Sequence, residues 1–512
     1  MTRVVALHTS PRYAAQAMNE AAKRRLDPAQ RADLVRALAR VLPADAILHH
    51  DDDVRPYECD GLACYRELPL AVVLPRDADE VAAVLRVCRE RNVPVVARGA
   101  GTGLSGGALP LADGIVLGLA RLSAVLEVDP ANRSARVQPG VTNLAISRAA
   151  APHGLFYAPD PSSQIACTIG GNVAENAGGL HCIKYGLTTH NLLKIEIVTI
   201  DGERLTLGAD ALDAPGYDLL ALFTGSEGLL GVIVEITVKL TPKPSRVRVL
   251  LAAFASVESA AAAVSDVIAA GIVPAGLEMM DNASIRAVEA YVACGYPVEA
   301  EAVLLAEIDG SDAEVAEDSA RVEAILRNAG ATAIRIADDA GERAALWSGR
   351  KAAFPALGRM APDYYCIDGS IPRRRLPDVL RGIAHLSQHY GLPVANVFHA
   401  GDGNLHPIIL YDTGTPGEQE RTEKLGTDIL ALCVEAGGSV TGEHGVGIEK
   451  LDAMCVQYAT PDIAMFHAIK HAFDPPGLLN PGKAVPTLRR CAEFGRMHVH
   501  RGRLPFAHLE RF

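Results

Sequence analysis

The sequence predicts an α+β protein built from several units, and three observations lead there. At 512 residues the chain is longer than one ordinary core organises, so two to four units are expected. An apolar share of 49% beside 21% charged residues is that of a globular chain. Short β-branched runs alternate with stretches of helical period, separated by Gly and Pro.

Charge and cysteine usage narrow the function classes. A net charge of -12 argues against nucleic acid, because phosphate contacts need a basic surface. It leaves an anionic small molecule open, which needs only one or two local cations. No run reaches the ~18 apolar residues of a membrane span. Val249 to Val273 comes nearest, but Glu258 and Asp266 break it, so it reads as a strand followed by an amphipathic helix. Met1 to Gln30 lacks the apolar stretch of a secretory signal, and a cytoplasmic chain is expected. The ten cysteines include no CxxC pair, which speaks against a cysteine-ligated iron–sulfur cluster and against a disulfide framework. Reduced, mostly buried thiols are expected.

Along the chain, residues 1–65 read as a helical lead-in, with Leu34, Leu38 and Leu42 spaced for one helix face. A strand is expected in Leu68–Pro75. Asp77 and Glu80 form a D-x-x-E capping signal before a helix with Val81, Val84, Leu85 and Cys88 on one face. Pro94–Arg98 is a strand that runs into the glycine-rich loop Gly99–Gly107. Strands follow around 115–119, 124–129 and 134–138, then a helix around 141–152, a second glycine-rich run at 168–179, and strands at 193–200 and 231–240. Past Pro242-Lys-Pro244 strands and helices alternate from 246 to 336 in a ferredoxin-like manner. A helix at 341–359, a strand at 363–368, a helix at 376–390, a strand pair at 394–411 and helices at 417–436 and 461–473 complete the unit. Residues 485–512 form a basic tail without periodicity.

Gly101-Thr-Gly103-Leu-Ser-Gly106 satisfies G-x-G-x-x-G after a strand, but a Rossmann site also needs a helix starting at the loop. Ala108 to Gly114, holding Pro110 and a terminal Asp-Gly, cannot supply one. Successive backbone N–H groups of a glycine run can still cradle a pyrophosphate without a helix. The second run, Thr168-Ile-Gly-Gly-Asn172 through Gly179, doubles the available donors. Taken singly, each run is equally well read as a turn; as a pair they favour a phosphate-bearing cofactor.

PVVARGAGTGLSGGA, PDPSSQ, TIGGNVAENAGG and TGSEGLLGVIVEITVKL together resemble the FAD-binding domain of the vanillyl-alcohol-oxidase/p-cresol-methylhydroxylase (PCMH) family over about residues 66–243. The resemblance implies a two-part PCMH-type domain. It implies FAD held by Arg98, Gly99, Ala100, Gly101, Thr102, Gly103, Gly106 and Gly107, by Pro159, Ser163, Thr168, Gly171, Asn172 and Ala174, and by Val232 and Ile233. Some family members attach flavin to a His in the first loop. No His lies between His50 and His153 here, so non-covalent FAD is expected.

His399-Ala-Gly-Asp402-Gly403-Asn-Leu-His406 places Asp-Gly between apolar runs, a strong hairpin signal. With Asp402 and Gly403 in a two-residue turn, His399 faces His406 and both imidazoles lie on one face. Glu443 and His444, flanked by Gly442 and Gly445, offer a carboxylate and a further imidazole. Two His and one carboxylate leave positions open on a metal, as catalytic sites require. The competing reading is a set of hydrogen-bonded core histidines.

FHAGDGNLHP and TGEHGVGIEKL resemble the C-terminal domain shared by FAD-linked 2-hydroxy-acid dehydrogenases: D-lactate and D-2-hydroxyglutarate dehydrogenases and the glycolate-oxidase D-subunit group, the last matching best over the whole chain. The resemblance implies a substrate/cap domain over 244–484 that ends in helices, and a divalent metal (Zn or Mn) on His399, His406 and Glu443. It further implies His444 as catalytic base, Arg350 on the substrate carboxylate, and an FAD contact at Asn480. Relatives acting on dicarboxylates carry Lys where this chain has Cys366, which points to a small acid such as glycolate. In such complexes a second flavin-domain subunit and an iron–sulfur subunit take the electrons, which implies attachment at the inner membrane through partners. The alternatives are a D-lactate dehydrogenase acting alone, a non-redox flavin-family synthase, or an inactive scaffold.

Overall fold

The computed structural model describes residues 28–211 and 216–487. The first 27 residues of the lead-in and nearly all of the basic tail lie outside them. Helix Pro28–Leu38 buries Leu34 and Leu38, and Leu42 joins the same core just past its end. That core lies against a four-stranded sheet in which Ala71–Val73, Ile115–Gly118 and Val95–Arg98 run parallel and Ile47–Leu48 adds antiparallel. Helix Ala78–Arg91 covers it with Val81, Val84, Leu85 and Cys88. Asp77 caps this helix by accepting from Glu80 N at 2.8 Å. Glu80 reaches one residue further back, to Arg76 N, so the capping box is only half formed.

A second, antiparallel sheet of five strands follows, in the order Val125–Asp129, Ser134–Val137, Val232–Lys239, Leu192–Val198 and Arg204–Gly208. The two sheets make the two halves of the first unit, as the PCMH resemblance implies. The run at 168–179 is not all loop: Ile169–Glu175 is a short helix, stopped by Asn176 at φ +54.

The second unit is one seven-stranded antiparallel sheet. Its strands Ala331–Ala337, Arg246–Phe254, Ala302–Gly310 and Gly276–Asp281 lie side by side in that order, the ferredoxin-like arrangement. Val394–Phe398, Pro407–Tyr411 and Asp363–Cys366 extend it, so the hairpin is part of the main sheet. Arg246–Phe254 and helix Val257–Ala269 account for the Ala-rich run as a strand and an amphipathic helix. The helix expected over 341–359 is two, Ala340–Lys351 and Ala353–Leu357. Pro355 has no N–H for the carbonyl four residues back, which ends the first.

After helix Thr460–Phe473 the chain returns to the first unit. Val95 N donates to Leu478 O, Asn480 N donates to Val95 O, each at 2.8 Å, and Leu478 and Leu479 join the first core. Eight of the ten cysteines are free, six of them buried. Cys455 departs from the expectation of reduced thiols, being disulfide-bonded.

Candidate active site

Strand Val95–Arg98 delivers the first glycine run from its C-terminal end. Gly101 (φ +72) and Gly106 (φ +76) hold left-handed turns that a Cβ would strain. A Cβ on Gly99 would run into the Thr168 hydroxyl, so the two runs are in contact. Arg98 folds its guanidinium against Gly101 of the same run, donating to Cys59 O at 2.7 Å and lying over the Tyr57 ring. The carbonyls of Thr102 and Gly103 pack on Gly61, Ala100 is exposed, and nothing lies within 4 Å of a Cβ on Gly103.

Thr168 Oγ1, Asn172 Nδ2, Ser105 Oγ and Asn480 Oδ1 are buried without a hydrogen-bond partner. Buried polar atoms are almost always paired. These four, on the two glycine runs and the returning C-terminal segment, fit a ligand rich in phosphate and amide groups. Asn480 is anchored by donating to Gly107 O and Glu227 O, at 3.0 and 2.7 Å. Pro159 and Ser163 shape the turn before the second run: Pro159 O accepts from Asn143, and Ser163 O from Ala166 N and Cys167 N. Gly171 and Ala174 are half-buried on the short helix. Val232 and Ile233 send their side chains into hydrophobic cores, so only their backbone can meet a ligand.

The hairpin register differs from the two-residue turn expected. His399 pairs with Asn404, Asn396 with Pro407 and Ala395 with Ile408, leaving Ala400–Gly403 as a four-residue connection. Gly403 takes φ +84 there. The shift is by two residues, and since side chains alternate with period two, both histidines keep to one face. His399 and His406 are diagonal neighbours with ring centroids 5.1 Å apart.

Glu443 completes the cluster. Its Oε1 lies 2.9 Å from His406 Nε2, 3.4 Å from His399 Nε2 and 3.8 Å from His444 Nε2. The ligand atoms of His399, His406 and Glu443 lie within 4.8 Å of one another, a spacing that can hold a metal ion. Cys366, His406 and His444 form a second group of that kind.

Burial opposes charge on His399, but Glu278 and Glu443 outweigh it and hold the imidazole well above its ordinary value. His406 goes up to about 10, Cys366 and Glu443 overcoming burial. Glu443, raised by burial but lowered more by the two histidines, ends well below the usual carboxylate range. His444 goes the other way, down to about 4. Burial lowers it, and His406 and Lys450 add to that against Asp368 and Glu443. Its ring stacks on His406 at 4.9 Å, and it is neutral at physiological pH.

The Gly442–Gly445 loop is held by a residue that sequence reasoning missed. Asp368, fully buried, accepts from Gly442 N, Glu443 N, His444 N and the Thr441 hydroxyl, and pairs with Lys450 Nζ at 2.9 Å. Arg350, 2% exposed at the end of helix Ala340–Lys351, donates from Nε to Glu278 Oε2 at 2.8 Å. Glu278 was also missed. Neither residue sits in a local motif; their partners lie 72 to 121 positions away.

The two units meet at this cluster. A Cβ on Gly178 would press on Glu443. Glu227 accepts from Val446 N and Gly447 N at 2.7 Å each, and Ser105 O accepts from Ile448 N. The second glycine run and the histidine cluster therefore share a wall.

Two family models match: an FAD binding domain at residues 69–208 and the FAD linked oxidases, C-terminal domain, at 243–484. Among curated proteins, the chain is 64% identical over 487 residues to glycolate oxidase subunit GlcD of Escherichia coli (strain K12), covering 95% of this chain and 98% of that one. The chain is an FAD-linked oxidase. This FAD-linked oxidase is also 32% identical to a D-lactate dehydrogenase of Anaerostipes hadrus, covering 85% and 94% of the two chains. Its fold is that of p-cresol methylhydroxylase with substrate bound (TM-score 0.76, 17% identity, 91% and 98% covered). FAD is thus the cofactor of this oxidase, and the PCMH-like fold is as expected.

Proposed function

We propose that this chain oxidises a small 2-hydroxy acid, glycolate first, to the 2-oxo acid. One observation carries the reading: Glu443, His444, His399 and His406 converge where the second unit meets the glycine runs, in a chain so similar to a glycolate oxidase subunit. The oxidation removes a proton from the hydroxyl and a hydride from the carbon. FAD, held non-covalently, supplies the two-electron acceptor. A zinc or manganese ion on His399, His406 and Glu443 would supply Lewis-acid polarisation of the hydroxyl. His444 takes the hydroxyl proton, its imidazole being neutral and free to accept. Arg350 holds the carboxylate through its terminal nitrogens, because its Nε edge is committed to Glu278. Holding both ends fixes which face of the carbon is presented.

The E. coli relative is named as a subunit. We place this chain in a complex, with a second flavin-domain subunit and an iron–sulfur subunit as electron-accepting partners. Among the described residues no helix is long and apolar enough to cross a membrane. Attachment at the inner membrane through those partners is part of the same proposal. The D-lactate relatives keep oxidation of D-lactate as the second reading.

Anaerobic mixing with glycolate, D-lactate, L-lactate and D-2-hydroxyglutarate tests the proposal. Glycolate is expected to bleach the flavin fastest. Bleaching by none of the four would turn the reading to a non-redox synthase or a scaffold.

A further inference from the structure

We infer that Glu278 is a positioning residue that builds the anion-binding and metal-binding halves of the site together, setting the tautomer of His399 and the direction of the Arg350 guanidinium. The inference rests on the roles proposed above for those two residues. Glu278 lies mid-strand in Gly276–Asp281, fully buried, with buried Leu277 and Met279 on either side. An isolated carboxylate there would be strongly disfavoured. It is accommodated because both oxygens are used: Oε1 lies 2.8 Å from His399 Nδ1, and Oε2 accepts from Arg350 Nε at 2.8 Å. A carboxylate needed only to neutralise Arg350 would have no reason to reach the histidine.

The consequences follow from hydrogen-bond chemistry. A carboxylate only accepts, so His399 must carry its proton on Nδ1. That leaves Nε2, the atom 3.4 Å from Glu443, as the lone-pair nitrogen available to a metal. Anchoring Arg350 by Nε fixes the plane of its fork, and the terminal nitrogens are what remain for a carboxylate.

Substitution by glutamine gives a result that a purely structural role would not. The amide oxygen must serve Arg350, which can only donate, so the amide NH2 turns to His399 Nδ1. That forces the proton onto Nε2 and blocks the metal position while the anion site stays intact. Three proteins would be compared with FAD bound: wild type, Glu278→Gln and Glu278→Ala. Binding of Mn2+ or Zn2+ is read by metal titration, and binding of oxalate, at saturating metal, by perturbation of the flavin spectrum. Glu278→Gln is expected to weaken metal binding at least about tenfold while oxalate binding stays within about threefold of wild type. Glu278→Ala is expected to weaken both, with flavin content retained as the folding control.

Wild-type metal affinity in a flavin-loaded Glu278→Gln protein would overturn the inference alone. Equal loss of oxalate and metal binding in that variant would also overturn it. If wild type is bleached by glycolate yet binds no divalent ion, the metal part of the proposed function falls and this inference with it.

Discussion

At the scale of single residues, His444 and its neighbours carry opposite protonation states a few ångströms apart. His444, held down to about 4 first by burial, stays a free base where an ordinary imidazole would protonate. Flavin reduction is therefore expected to show no loss of rate between pH 8 and 6 in a stopped-flow pH series; a limb near pH 6.5 would contradict it. His444→Ala should abolish reduction with FAD still bound. His399 and His406 are held above their ordinary values, so both carry protons at neutral pH when no ion is present. A metal takes only the neutral ring, so binding must release about two protons and tighten as pH rises. Calorimetry in buffers of different ionisation enthalpy would count them. The residues of this cluster were legible in the sequence because they sit in two short motifs. Glu278 and Asp368 were not, because a carboxylate in an apolar strand or loop gives no local sign of a distant partner.

At the scale of elements, the hairpin shows what spacing can and cannot settle. Asp402-Gly403 marked the turn, but the connection is four residues long and the pairing moves by two. Only the even parity of that shift preserved the convergence of the histidines; a shift of one would have sent His406 to the opposite face. The Gly442–Gly445 loop depends on Asp368 and Lys450, both fully buried. Asp368→Asn removes the nearer counter-charge of the Lys450 ammonium, leaving Glu449 at 3.8 Å, and strips the loop of its carboxylate acceptor, so a stability loss of about 3 kcal/mol is expected in urea unfolding. The glycine runs, each alone readable as a turn, pointed as a pair to a phosphate-bearing cofactor. The short helix Ile169–Glu175 was hidden because two glycines in its first turn disfavour a helix, which tertiary packing overrides. Gly99→Ala would force its Cβ against Thr168 and part the two runs. FAD affinity is expected to fall at least tenfold, measured by flavin release on dilution.

Across the whole molecule, the two units share apolar residues at their boundary, Leu62 and Leu180 packing in the clusters of the second and Leu478 and Leu479 in that of the first, and polar contacts tie them at the site. Glu227 grips the Val446–Gly447 backbone, Asn480 and Lys483 return to Gly107, and His181 bridges Asp160 of the first unit to Glu307 of the second. The alternation of strand and helix predicted the second unit's layers well, since each element carries its own period. The return of Leu478–Asn480 to the first core had no such signal, because three residues set no period. This seam brings His444, the candidate metal ligands and the two glycine runs to one place, and the proposal is that oxidation of a 2-hydroxy acid happens there. Its most direct test is the absorbance of the bound flavin after anaerobic mixing with glycolate. Rapid bleaching in the wild type, absent in His444→Ala with its flavin content intact, is the expected result. A wild-type flavin that stays oxidised, or a His444→Ala protein that bleaches as fast, would contradict the claim.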